Sequence, residues 1–303
     1  MKKWICMALC LSGMVMAEEE AIRIGVLLPE LTGGEESAAA WYAEQRCIEQ
    51  GAEYVIAVCP DEETMLDELA EMQIWGAQAI VVWPGLPGDA EALQAAAEDG
   101  VAVICMNEMQ DIPGARLAQA DEYDIGVQQA YYLAEKLEGV GTVAVFSADT
   151  AAAKKRLQGL SETLEEIAPA MKLLETVTIG ENREEAAVAM AALLDGQQQV
   201  DGVWASDDAV ALGAYDAIVS AQRTDVYVLV SCGGRQEFFE TSTEREDMWL
   251  ATLPRTAALA YESVDMAVML ARNEAVEAER LTSGEMIDRE NVSAWLEEGS
   301  LYR

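Results

Sequence analysis

IRIGVLLPELTGGEESAAAWYAEQRCIEQG, residues 22–51, holds the unit on which the reading of the fold rests. Its first seven residues form a mainly apolar run, too short for a helix and stopped by Pro29, which predicts a buried strand. Residues 37–50 then place alanines, Trp41, Tyr42 and Ile48 among charged side chains at helical spacing, and Gly51 stands where a helix commonly stops. Strand, helix and stop make one unit, and the unit recurs. A strand is expected at 54–59, a helix at 62–75 ended by Gly76, a strand at 79–83, a helix at 89–98 ended by Gly100, and a strand at 101–106.

Ile112-Pro113-Gly114 interrupts this pattern, and a second series follows. Helices are expected at 125–137, 154–167, 183–194 and 209–221, with strands at 142–146, 174–179, 202–205 and 226–230. Near-continuous apolar strands alternating with amphipathic helices imply parallel sheets covered on both faces. The expected fold class is therefore α/β, with two doubly wound parallel-sheet lobes. In open sheets of this kind ligands bind beyond the carboxyl ends of the strands, so the cleft between the lobes is the natural site.

The 303 residues carry 55 Asp and Glu against 19 Lys and Arg, with no histidine and a net charge of −36. Affinity for phosphate backbones and anionic lipid begins with basic side chains, so nucleic acid and membrane surfaces are unfavourable partners. Lacking histidine, the chain also lacks the commonest general base near neutral pH, the Ser-His-Asp arrangement and most zinc-site chemistry. At 51% hydrophobic residues the composition is that of a globular protein with a core to bury.

Residues 1–17 combine Lys2-Lys3, a mainly apolar stretch and Val15-Met16-Ala17 ahead of three glutamates. This is the pattern of a cleavable secretory signal, which implies an exported protein in the periplasm or cell envelope. Cleavage after Ala17 would remove both lysines and take the net charge from −36 to −38. Cys47, Cys59, Cys105 and Cys232 would remain, in no metal-type spacing, with Cys105 inside an apolar run.

The expected strand ends carry Glu30, Thr32, Trp83, Asn107, Glu108, Asp207 and Cys232. A polyol needs flat apolar faces for its C–H surface and carboxylates, amides or cations for its hydroxyls, and this set offers both. Trp41 and Trp75 lie at core-like helical spacing and are read as packing residues. Of Asp207 and Asp208, the second is assigned to cap the following helix and the first to face the cleft. No GxGxxG follows the first strand and Gly233-Gly234 lacks a following Lys-Ser/Thr, so no phosphate site, cofactor or metal is assigned.

Four segments resemble the type I periplasmic binding proteins, in the sugar-binding branch that includes ribose- and galactose-binding proteins and shares its core with the lactose repressor. IGVLLPELTG (residues 24–33) is similar to the family's first strand and ligand loop, and ADEYDIG (120–126) to its passage into the second lobe. GVWASDDAVALGAYDAI (202–218) resembles its strand, acidic pair and Ala-Leu-Gly-Ala helix, and EMIDRENVSAWL (285–296) its closing segment. The resemblance implies a three-segment hinge near Asp121, Pro254 and Leu281. It divides the chain into a signal (1–17), an N-terminal lobe (18–120 with 255–280) and a C-terminal lobe (121–254 with 281–303). It also implies pocket contacts at Asn107, Glu108, Lys154, Glu181, Asp207, Cys232 and near Arg255, with Trp83 facing the cleft. Cys232 replaces the usual strand-end Asp, and Asn107-Glu108 stands where an Asp-Arg pair is common, so the resemblance specifies no particular pentose or hexose.

The resulting expectation is a monomeric, non-enzymatic solute-binding protein that hands a small polar, sugar-like ligand to an ABC permease. A ligand sensor for a membrane receptor or kinase is the alternative, and a carboxylate-based glycosidase is a lesser one. Four acids (Glu30, Glu108, Glu181, Asp207) against Lys154 and Arg255 favour neutral or cationic ligands over phosphorylated ones.

Overall fold

The computed structural model describes residues 21–29, 34–83, 86, 90–107, 112–180, 182–196 and 199–296. Glu30, Thr32, Glu108 and Glu181, like the expected signal segment, lie outside these residues.

The first sheet contains β1 (Arg23–Leu28), β2 (Glu53–Val58), β3 (Ala79–Val82), β4 (Ala102–Met106), β5 (Arg116–Ala120) and β12 (Glu279–Thr282). Its order is β12-β5-β4-β3-β1-β2, every pair parallel. β1 and β3 are buried almost end to end, which is why they read as short apolar runs in the sequence. Helices α1 (Gly34–Gln50), α2 (Glu62–Trp75), α3 (Ala90–Glu98) and α9 (Arg255–Ala271) pack on this sheet. Asp61 caps α2 by accepting from the Thr64 N–H, and Gly76 ends it at φ 88°, a left-handed conformation suited to glycine.

The second sheet is built from β6 (Val140–Ser147), β7 (Ala170–Leu173), β8 (Val177–Thr178), β9 (Gly202–Ala205), β10 (Val228–Cys232) and β11 (Trp249–Leu253). It runs β11-β10-β9-β6-β7, with β8 beside the end of β6. Its helices are α4 (Glu122–Lys136), α5 (Ala151–Ile167), α6 (Arg183–Asp195), α7 (Asp208–Ser220) and α8 (Gln236–Ser242), with the short α10 (Ser293–Leu296) following later in the chain.

The chain leaves the first sheet after β5 at Asp121, whose carboxylate accepts from the Asp124 N–H and caps α4. It returns at Pro254, between β11 and α9. After β12 it crosses again, and Ile287 forms an antiparallel bridge with Thr252. The Asp121 N–H donates to the Thr282 carbonyl at 2.8 Å, so the first and third crossings lie side by side. An apolar cluster joins them, with Trp83, Met106 and Ala120 from the first sheet beside Cys232 and Leu253 from the second.

Three features differ from the sequence expectation. Leu281 pairs with Gln119 and Thr282 with Ala120, so the third crossing begins after Thr282 and not at Leu281. Of the strand expected at 174–179 only 177–178 forms one, and a separate strand at 170–173 precedes it; the two pair with different parts of β6. The periodic reading also does not extend to β5, β11, β12, α8 or α9. In α9, Ala257, Leu259, Ala260, Val264, Met266, Ala267 and Val268 are all buried, and this apolar surface wraps too far round the helix to leave a clear amphipathic period.

Cys47, Cys59 and Cys232 are buried free thiols, and burial pushes them up to about 12, about 11 and about 11 respectively. Because the thiolate is the nucleophile, the folded protein is expected to leave these three unlabelled by iodoacetamide at pH 8 and to expose them in guanidinium. Rapid labelling of any of them in the native protein would contradict this burial.

Candidate functional site

The carboxyl ends of β3, β4, β5, β9, β10 and β11 converge on the crossings, and the side chains just beyond them form the candidate site. Trp83 follows β3; its N–H donates to the Leu27 carbonyl, and it is 8% exposed within the apolar cluster. Asn107 follows β4 at φ 62°, a left-handed conformation that asparagine tolerates better than most residues, and its N–H donates to the Ala118 carbonyl at 2.6 Å. Both stand at the strand ends as expected.

The acidic pair after β9 departs from its assigned roles: the cap belongs to Asp207, and Asp208 is an internal tie. Asp207 is the N-cap of α7, its Oδ1 accepting from the Ala209 and Val210 N–H groups at 2.9 and 3.0 Å. Asp208 is 1% exposed and accepts four hydrogen bonds: from Ser231 Oγ at 2.5 Å, Thr252 Oγ1 at 2.7 Å, the Gly234 N–H at 2.6 Å and the Arg235 N–H at 2.7 Å. The reason is geometric. The extended backbone of Asp207 (φ −153°, ψ 167°) brings its carboxylate back over the first turn, whereas Asp208 is already helical and projects toward β10 and β11. Asp208 thus ties together the ends of β10 and β11 and the Gly233–Arg235 turn.

Lys154 is not brought into this group. Its side chain is 66% exposed, with Nζ 2.5 Å from Asp149. On α5 the buried face is Ala153, Arg156, Leu160 and Leu164, so Lys154 falls off it while Arg156, two residues on, points inward.

Arg156 belongs to an ion cluster at the first and second crossings. Its Nη1 donates to Glu122 Oε2 at 2.5 Å and its Nη2 to the Ser206 carbonyl at 3.0 Å. Arg255, the first residue of α9, donates from Nη1 to Glu122 Oε1 at 3.1 Å. The three side chains are 8% (Arg156), 11% (Glu122) and 19% (Arg255) exposed. Ser206 extends the chain of contacts by donating to Asp207 Oδ2 at 3.1 Å. Cys232 lies within electrostatic range of the same groups. Burial is the main cause of its raised pKa; Arg156 and Arg255 pull it down, and Glu122 and Asp208 push it up.

Arg255, Asp207, Cys232, Trp83 and Asn107 are therefore found at the crossings and strand ends. Glu122, Arg156 and Thr252 were missed by sequence reasoning, and Asp208 was given the wrong role. Signals pointed to two of them: Glu122 directly follows the Asp121 passage, and Arg156 is the one charged side chain on the buried face of α5. The charge balance also changes. Three of the four acids counted from sequence lie outside the described residues, Lys154 is held by Asp149, and the described ionic groups are Arg156 and Arg255 with Glu122, Asp207 and Asp208.

Two parallel α/β sheets, three crossings and a polar cluster where the strand ends meet define a type I periplasmic binding protein fold. The periplasmic binding protein domain matches residues 24–275, and the chain belongs to that family. Xylitol-binding protein from Mycolicibacterium smegmatis is 26% identical over 230 residues, 73% of this chain; the match spans 64% of the length of that curated relative. Among solved structures, an ABC transporter periplasmic solute binding protein from Actinobacillus succinogenes with bound D-allose has a TM-score of 0.67 at 18% identity, covering 90% of this chain and 99% of the other. An arabinose binding protein from Geobacillus stearothermophilus has a TM-score of 0.71 at 17% identity, covering 90% and 99%.

Proposed function

We propose that this chain is the exported solute-binding protein of an ABC importer, taking a sugar or related polyol between its lobes and presenting the closed form to a permease. The observation that carries the reading is the meeting of both sets of strand ends at three crossings, where Asn107, Asp207, Glu122 and Arg255 supply hydroxyl-binding chemistry and Trp83 an aromatic body. Family membership, a relative named for xylitol and a fold shared with proteins bound to D-allose point the same way.

The lobes are residues 18–120 with 255–282, and 121–254 with 283–303. Hinge motion at the crossings opens and closes the cleft. The protein works as an exported monomer that binds and releases its ligand without altering it.

A thermal-shift and calorimetric screen with xylitol, D-allose and L-arabinose tests the reading. A ligand at 100 times its Kd stabilises the folded protein by about 2.7 kcal/mol, a readily measured rise in Tm. Folded protein that responds to no sugar or polyol would overturn the assignment. Recovery of a permease from membranes is expected on pull-down; recovery of a kinase instead would favour a sensor.

A further inference from the structure

The Glu122 carboxylate occupies a position that neither lobe's strands supply. It follows Asp121 at the first crossing, and its two oxygens each accept from one guanidinium, Arg156 behind it on α5 and Arg255 at the start of α9. A carboxylate offers about four lone-pair sites, so among the described residues these bonds leave a lone pair on each oxygen for a further donor. Arg156, 7% exposed and fixed also to the Ser206 carbonyl, holds the carboxylate from the second lobe, and Arg255 holds it from the first. The neighbouring strand-end residue Cys232 contributes only a thiol, a weak acceptor.

Relying on the proposed binding of a sugar or polyol, we infer that Glu122 is itself a ligand-contacting, specificity-determining residue. It accepts a hydroxyl proton of a vicinal diol while Arg255 donates to the adjacent hydroxyl oxygen. A guanidinium beside a carboxylate matches a diol because neighbouring hydroxyls can donate and accept in the same plane. The formal charges favour a neutral ligand over an anion. Among the described residues, Arg156, Arg255 and the neighbouring Arg235 are matched by Glu122, Asp207 and Asp208, so this group has no positive excess to attract a phosphate or a sugar acid.

The test is a deoxy scan by calorimetry on the full-length mature protein. Xylitol, D-allose and L-arabinose are titrated first, followed by each monodeoxy form of whichever binds. In the wild type, at least one monodeoxy form is expected to bind about tenfold or more weakly, the order of a hydrogen bond to a charged group. In Glu122→Gln the parent ligand weakens and the penalty for that same deoxy form falls toward one. A purely structural role would lower Tm and leave the deoxy penalty unchanged. Should Glu122→Gln fail to fold because Arg156 loses its carboxylate, Glu122→Asp and Arg255→Lys keep the charges and read the same ratio. If the wild type binds none of the three probes, the parent reading falls and the inference falls with it. If the wild type binds and every deoxy penalty is the same in the variants, the Glu122 assignment alone is overturned.

Discussion

Asp208→Ala is expected to destabilise the protein by about 4 kcal/mol, because it strands four donors, three of them buried, at roughly 1 kcal/mol each. Two of those donors are the Gly234 and Arg235 N–H groups, which have no freedom to find another partner without moving the turn. The other two, Ser231 Oγ and Thr252 Oγ1, both reach Oδ1 and are hydroxyls that can rotate. This difference makes a second expectation. In Asp208→Asn the amide oxygen takes the position of Oδ2 and keeps both backbone donors, while the NH2 faces the hydroxyls, which turn to accept. Asn is therefore expected to cost well under half of the Ala penalty. Urea melts of the two variants provide the measurement, and near-equal losses would mean that charge, not donor count, governs the site. The neighbouring glycine obeys the same geometry: a Cβ on Gly233 would stand 2.6 Å from Asp208 Oδ2, so Gly233→Ala is expected to act in the same direction.

Gly126→Ala and Gly159→Ala are expected to destabilise by about 2 to 3 kcal/mol each, against the usual sign for such a change. In an exposed helix interior, Gly→Ala gains about 1 kcal/mol of helix propensity. Here α4 and α5 approach so closely that a Cβ at Gly126 would lie 1.9 Å from the Arg156 carbonyl oxygen, and one at Gly159 would lie 2.1 Å from the Tyr123 carbonyl oxygen. These are backbone atoms, so relief requires the helices to separate, and overpacking outweighs the propensity gain. Separation would also draw Arg156 away from Glu122, so ligand affinity is expected to fall together with stability. The two sites sit in one contact, which makes their losses less than additive in the double variant. Chemical denaturation of the three variants checks this, and a stabilised Gly126→Ala would refute the close-packed contact.

The same pair of glycines marks where sequence stops being informative. The alternation of short apolar runs with amphipathic segments made two parallel sheets legible, because strands covered on both faces must be apolar along their length. Strand ends followed, and with them Trp83, Asn107 and Cys232. Helix boundaries with strong chemistry were equally readable: α2 spans Glu62–Trp75 and ends at Gly76 as expected. Asp207 and Asp208 were placed in the right turn, but the cap was given to Asp208 and belongs to Asp207, since the choice depends on which residue's backbone is extended and which is already helical.

By itself, then, the chain's residue order determined the fold class, the places of most strand ends and the kinds of side chain that stand there, because all three follow from local periodicity and from where strands end. Only the tertiary structure decided which side chains act together. Glu122, Arg156 and Arg255 are 34 and 133 residues apart along the chain when counted from Glu122, and no local pattern couples them. Their meeting depends on α4 and α5 touching through Gly126 and Gly159 and on the second crossing bringing α9 back beside the first. Contacts of that separation arise from packing, and packing is a property of the assembled sheets rather than of any segment within them.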